Sequence, residues 1–445
     1  MLNEKQLDAV THIYEQGETY LVGPMGCGKT LTALTAIDEL IRDNHVIRAL
    51  VVAPRRVCEQ VWLQEINKWG LHRLNAAIAT GTPDNRVRAL TGSANVVCIN
   101  FENLAWLFSK PDLFAGFDML VVDEATKIKA GGKAFKSLRR HLKQFNTRLA
   151  MSGTPVSEDF GGLFYQAMIV DDGKAYGKNK QNWLERYFTP TDYMRYNWEV
   201  VMPVDLLAPF QHCMVTLPSY SDELPALVER TILLGGCRTP EYDGLARDMI
   251  VDNVTAANAA VLTSKLQQAA CGFLYDDDGA TVQIHHKKSE WLTAQLAGNP
   301  KAGNPKAGNP KAGNPKAGNP KAGSRTVIVY QYKEELARLK KLFPDCFEIK
   351  DIAAFKRSES GLLVMHPRSA GHGISLVEAS TMIFMGPVWS RDLTRQTIAR
   401  CYRRGQTSTT TVYTLTGAGT IEESMIGREA GKAVHHTALL AALGG

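Results

Sequence analysis

"TYLVGPMGCGKT", residues 19–30, decides the fold. A short apolar run ends in a glycine-rich turn that leads into a helix-forming segment. G-x-x-x-x-G-K-[ST] in that strand-to-helix context is a phosphate cradle. Gly23, Gly26 and Gly28 let backbone N–H groups turn inward around phosphate oxygens, and the helix N-terminus adds partial positive charge. Lys29 then reaches the β- and γ-phosphates and Thr30 holds Mg²⁺, so ATP and Mg²⁺ are the expected ligands. The bland alternative, a Gly-rich turn with no ligand, does not require the complete eight-residue pattern.

Working outward, the same punctuation recurs. "ALVVAP" (49–54), "NVVCIN" (95–100), "DMLVVDEA" (118–125) and "RLAMSGT" (148–154) are apolar runs followed by turn residues. A second set comprises "RTVIVYQY" (325–332), "GLLVMH" (361–366), "TMIFMG" (381–386) and "TTVYTLT" (410–416). Continuous apolar strands alternating with helices predict parallel sheets covered on both faces, hence an α/β fold with two doubly wound domains, 1–157 and 324–445. Residues 158–296, including "NWLERYF", "LVERTILL" and "AANAAVLTSKLQQAACGFLY", read as a mostly helical insertion and the crossing between domains.

The chain has 445 residues, room for about three average domains, and its 44% hydrophobic and 22% charged residues are those of a globular protein. No apolar run is long enough for a membrane span, and "MLNEKQLDAV" is too polar for a signal peptide. Eight cysteines without CxxC or CxxH spacing give neither a zinc site nor a disulfide framework, so a cytoplasmic location without membrane contact is expected. His285 and His286, after a "YDDDG" turn, read as a loop or strand end rather than a metal site.

The net charge of +6 suggests nucleic acid, but five identical NPKAG units at 299–323, within a loop segment 297–323, contribute five lysines. Without them the net charge is +1, so bulk charge excludes nothing and proves nothing. A five-residue period fits neither helix nor strand, and the recurring proline blocks helix propagation. The tract reads as an expanded surface loop, joining "QLAG" to "SRTVIVY"; a mobile basic flap for DNA phosphates is the sharper alternative.

Two further groups carry chemistry. Asp123 and Glu124 end a buried strand, where Asp123 takes Mg²⁺ and Glu124 orients and activates the attacking water. In "QTIARCYRRGQT", Gln396, Arg400 and Arg403 fall at i, i+4 and i+7, one face of a helix. Arg400 and Arg403 can act as fingers on the transferred phosphoryl group, coupling hydrolysis to domain closure.

Together these motifs resemble the superfamily-two helicases and translocases with paired RecA-like lobes, within them the Swi/Snf-like group, in a compact form similar to phage-encoded members. The resemblance covers nearly the whole chain. It implies that Gln6 recognises adenine, with Gln396 joining the nucleotide site, and that Ser152 and Thr154 of "SGTP" couple nucleotide state to motion. "VVAPRRVCEQVWLQEINKW" (51–69), "INFENL" (99–104), "SAGHGISL" (369–376) and "GPVWSRD" (386–392) supply candidate nucleic-acid contacts: Arg55, Arg56, Asn100, Phe101, Ser369, Gly371 and Trp389. Trp62 and Trp69 read as core, whereas Trp389 suits either a core or a base-proximal role. The chain departs from the family pattern at Ser375, where Asn is usual, at Arg404, and in "DEAT" in place of "DEAH".

The resemblance implies an ATP-dependent motor moving along duplex, forked or branched DNA by tracking one strand, in the host cytoplasm if phage-encoded. An RNA helicase or ribonucleoprotein remodeller, and an ATP-gated clamp that recruits a protein partner, are the alternatives. Substrate choice is expected from residues 158–296, from DNA structure, or from a protein partner.

Overall fold

The computed structural model describes residues 2–128, 132–153, 160–195, 198–201, 203–218, 224–248, 250–251, 254–255, 259–296, 324–368 and 374–427. They form two compact units, divided between Tyr220 and Ser221.

In the first unit, strands β1 (Glu18–Val22), β2 (Ala49–Ala53), β3 (Ala76–Ala79), β4 (Val96–Asn100), β5 (Met119–Asp123), β6 (Thr147–Ser152) and β7 (Met214–Thr216) form one sheet in the order β3-β4-β2-β5-β6-β1-β7. Every pairing in it is parallel. Helices α1 (Glu4–Gln16), α2 (Lys29–Arg42), α3 (Arg55–Gln60) and α4 (Trp62–Trp69) lie on one face. Helices α5 (Lys133–Arg139), α6 (Leu163–Asp171) and α7 (Lys180–Tyr187) belong with the other. Alternation along β5 builds both layers: Leu120 and Val122 face α5 and α6, whereas Met119 and Val121 face α2. Each fully buried aliphatic side chain of this kind contributes roughly 1.5–3 kcal/mol, so the all-buried central strands anchor the unit.

The second unit has strands β8 (Leu227–Leu234), β9 (Arg325–Val329), β10 (Gly361–Met365), β11 (Thr381–Phe384) and β12 (Thr410–Gly417), in the order β8-β12-β11-β9-β10, again all parallel. Helices α8 (Ala259–Ala270), α9 (Lys287–Leu296), α10 (Lys333–Leu342) and α11 (Arg391–Ile398) surround it. Leu292 of α9 and Leu339 of α10 pack on Ile328 and Ile383, while Ile398 of α11 packs on the opposite face with Val327 and Phe384.

All nine expected strands are present. Residues 158–296, however, do not form a separate block. Residues up to 218 belong to the first unit, because β7 pairs with β1 and α6 packs on β6. Those from 224 belong to the second, because β8, expected as helix, pairs with β12 along eight residues. The NPKAG tract lies outside the described residues. Among the described residues no helix is long and apolar enough to cross a membrane.

Candidate nucleotide site and nucleic-acid interface

Parallel pairing brings the nucleotide motifs into one row. Val22, which ends β1, is opposite Ser152 of β6, and Met151 of β6 is opposite Asp123 of β5. The glycine turn, Ser152 and Asp123 therefore emerge from three adjacent strands at the carboxyl edge of the sheet, where open α/β sheets bind ligands. Gly23 N donates to Ser152 O at 3.1 Å, so the turn is tied directly to the coupling residue.

The loop itself requires glycine. Gly26 and Gly28 have φ of +83° and +90°, which side chains with a Cβ rarely adopt. At Gly23, where φ is ordinary, space decides: a Cβ would lie 2.7 Å from Cys27 Sγ. Gly28 is the N-cap of α2 and provides no side chain for the helix's first N–H groups. Those orphan donors are what a phosphate satisfies. Lys29 Nζ is folded into the loop, donating to Gly23 O at 2.5 Å and Pro24 O at 3.0 Å, so an incoming phosphate exchanges one set of oxygens for another.

Gln6 lies against this loop at 6% exposure. Asn3 N donates to its Oε1 at 2.9 Å, and its Nε2 donates to Cys27 O at 2.8 Å. Adenine recognition by Gln6 therefore requires its amide to leave Cys27. The Asn3 capping box, which starts α1, fixes where Gln6 sits.

Asp123 and Glu124 are both buried. Burial, and then the neighbouring Glu124, push the Asp123 carboxyl up to about 7, against the pull of Lys29. Such a carboxylate gains its charged form when a divalent cation arrives, and Asp123 with the Thr30 hydroxyl is a hard-oxygen set suited to Mg²⁺. When bound, the ion would neutralise phosphate charge. Trp62 Nε1 donates to Asp123 Oδ2 at 3.2 Å and holds it in place. Glu124 has φ of +57°, a left-handed conformation costing a non-glycine residue on the order of 1 kcal/mol.

Other expected residues are placed differently. Thr154, Ser369 and Gly371 lie outside the described residues. Arg55 is exposed on α3 and paired with Glu59 at 2.8 Å; Arg56 follows it. Asn100 and Phe101 are only 6% and 9% exposed. Asn100 spends its amide on Glu102 and Asn103, and the Phe101 ring joins the core, so neither presents a side chain to DNA. Trp62 is core as expected, but Trp69 is 39% exposed, its indole donating to Glu65 at 2.7 Å.

The arginine motif also departs from expectation. Helix α11 contains Gln396 but stops at Ile398, with Ala399 as its cap, so Arg400 and Arg403 lie in the following turns. Leu376 N donates to the Arg400 carbonyl at 2.7 Å, and buried Gln406 donates to Cys401 O and Ala379 O, which together pull the chain off the helix path. Arg400 is buried and Arg403 half-buried.

A polar network absent from the sequence reading supports Trp389, which is 42% exposed. Its indole donates to Gln267 Oε1 at 2.8 Å, and Gln267 Nε2 donates to Pro387 O at 2.9 Å. Gln331 Nε2 donates to Gly386 O and Pro387 O. Beneath them, Lys288 and Glu422 form a buried ion pair at 2.6 Å. A Cβ at Gly386 would stand 2.8 Å from Glu422 Oε1, so the loop approaches the pair as closely as a glycine allows. Gln267 sits among apolar residues of α8, in "KLQQAAC", a polar interruption that was the available signal.

Residues 9–187 match the SNF2-related domain. Protein p41 of Acyrthosiphon pisum secondary endosymbiont phage 1 is 25% identical over 421 residues, covering 88% of this chain and 86% of that protein. The DNA repair and recombination protein RAD54-like of Gallus gallus is 22% identical, over 92% of this chain but only 62% of its own length. A solved Sulfolobus solfataricus SWI2/SNF2 ATPase core in complex with dsDNA covers 98% of this chain, with 92% of its own chain covered, 19% identity and a TM-score of 0.45. These likenesses support a Swi/Snf-like member of the superfamily-two ATPases.

Proposed function

We propose that this protein is an ATP-dependent DNA translocase that follows one strand of duplex or branched DNA. The observation that carries this reading is the row formed by the glycine loop, Ser152 and Asp123 on three paired strands. Lys29 and the loop amides bind the phosphates, Asp123 and Thr30 hold Mg²⁺, and Glu124 aligns and deprotonates water. Ser152, hydrogen-bonded through its carbonyl to Gly23, reports the phosphate state to the rest of the first unit. Arg400 and Arg403 serve as arginine fingers, with Gln396 on the helix preceding them. Arg55, Arg56 and Trp389 are the proposed side-chain contacts to DNA. Backbone contacts of this kind are independent of sequence and weaken with salt.

The test is ATP hydrolysis with and without duplex DNA, single-stranded DNA and RNA, for wild type and Glu124→Gln. Stimulation by DNA in wild type, lost in Glu124→Gln with ATP binding retained, is expected. Stimulation by RNA alone would overturn the proposal.

A further inference from the structure

Trp389 leaves 42% of its surface to solvent, yet its one polar atom turns inward: Nε1 donates at 2.8 Å to Oε1 of Gln267, which is 1% exposed. An indole half in water satisfies its N–H with water alone. Receiving it on a buried primary amide is a demanding alternative, because an amide group left unpaired inside the protein is strongly destabilising. Around Gln267 on α8, Leu266, Ala270 and Cys271 are buried as well. Satisfying the indole is therefore no sufficient reason for an amide at this position. A ring whose direction matters is.

The turn that carries the ring is pinned on several sides. Pro387, whose φ is fixed by its own ring, accepts at its carbonyl from Gln267 Nε2 at 2.9 Å and from Gln331 Nε2 at 3.0 Å. Gln331 is itself held, its backbone N–H donating to buried Glu335 at 2.8 Å. Val388 is buried in the core with Leu376, Phe384 and Ile398. Ser390 then caps α11, its hydroxyl accepting from Leu393 N at 3.3 Å. With the backbone fixed on both sides of Trp389, rotation of the side chain is the freedom that remains, and Gln267 restrains it.

We propose that Gln267 is a positioning residue for DNA binding, locking Trp389 in one orientation before DNA arrives. The inference rests on the reading that Trp389 touches DNA, and deepens it by saying how the contact is made. With its N–H spent inward, the indole offers DNA only apolar surface. The contact is then with sugar or base carbon, carries no hydrogen-bond readout of sequence, and adds nothing to the salt dependence that phosphate contacts set. A ring already fixed loses no rotamer freedom on binding. That preorganisation strengthens binding by roughly three- to tenfold, the ordering cost of one side chain.

Gln267→Met keeps the length of the side chain and removes both hydrogen bonds, while Pro387 O retains its Gln331 donor and the freed indole N–H reaches water. Fluorescence anisotropy of a labelled duplex, without nucleotide and across a salt series, compares wild type, Gln267→Met, Trp389→Ala and the double variant. ATP hydrolysis is measured alongside. Gln267→Met should weaken binding by roughly three- to tenfold, with the salt slope of wild type because no phosphate contact is lost. Its hydrolysis without DNA and at saturating DNA should match wild type, which also shows that it folds. Trp389→Ala should weaken binding at least as much, and Gln267→Met should cost nothing further in that background, where no ring is left to position. Equal losses in both backgrounds, or a lower rate at saturating DNA, would assign Gln267 to the stability of the second unit and overturn the proposal. If Trp389→Ala weakens binding and Gln267→Met does not, the positioning role falls while the contact stands; if Trp389→Ala binds as wild type does, the contact falls with it. Failure of the motor reading would appear separately, as DNA that binds with this pattern but leaves ATP hydrolysis unchanged.

Discussion

Replacing Glu422 by Gln should destabilise the second unit by about 3–5 kcal/mol, the cost of leaving one charge of a buried pair without its partner. Lys288 and Glu422 side chains are 2% and 0% exposed, and Nζ to Oε1 is 2.6 Å. Gln preserves shape and still accepts from Gly417 N, which donates to Glu422 Oε2 at 2.7 Å, so the variant isolates the charge. Lys288→Met strands the opposite charge and should cost a similar amount. Changing both, to Met and Leu, removes the desolvated charges together and should return stability to within about 1–2 kcal/mol of wild type. Urea denaturation, followed by hydrogen exchange at β11 and β12, measures this unit directly. With a slope of about 2 kcal/mol per molar urea, each single variant should lower the midpoint by roughly 1.5–2.5 M. A double variant that unfolds earlier than either single one would refute the reasoning, because attraction rather than stranded charge would then dominate. The readout also bears on Trp389, because the pair underlies the Gly386–Pro387 turn that presents it.

Three further outcomes follow from the geometry. Gly28→Ala meets both a φ of +90° and a Cβ position that collides with Gln6 Nε2, so it should displace Gln6 and weaken ATP affinity by at least about tenfold in a fluorescent-nucleotide titration. Trp62→Phe removes the indole donor to Asp123 and should lower kcat for ATP by about tenfold, on the scale of one missing hydrogen bond, with the fold retained by circular dichroism. Burial, then Lys288 and Arg338, lower the His285 pKa from 6.5 to about 4, so the fold favours its neutral form. Its contribution is present above pH 6.5 and is lost as pH falls from there toward 4; discounted for partial exposure it is on the order of 1 kcal/mol, visible as a urea midpoint at pH 5 that His285→Gln flattens.

Much of the fold was legible because buried parallel strands announce themselves. "MLVV" and "VIV" are apolar without interruption, and glycine or proline follows many such runs. The glycine loop and acidic pair were legible for a related reason: phosphate chemistry demands particular residues at fixed spacing. The misses have local causes. "LVERTILL" is the edge strand β8, whose Glu229 and Arg230 break the alternation that would separate strand from helix. "AAIA" in β3 lacks the β-branched density of its neighbours. Arg400 and Arg403 matched helical spacing, but tertiary hydrogen bonds from Leu376 and Gln406 ended the helix first. Asn100 and Phe101 matched a family segment while their side chains serve the interior.

The central claim, that ATP turnover at the glycine loop drives movement along DNA, is tested most directly by displacement of a triplex-forming strand from duplex DNA. Wild type with ATP and Mg²⁺ should displace the strand, whereas Lys29→Ala and Glu124→Gln should not, and a non-hydrolysable ATP analogue should give no displacement with any of them. Displacement by Glu124→Gln, or none by a wild-type protein whose ATP hydrolysis is stimulated by the same DNA, would contradict it.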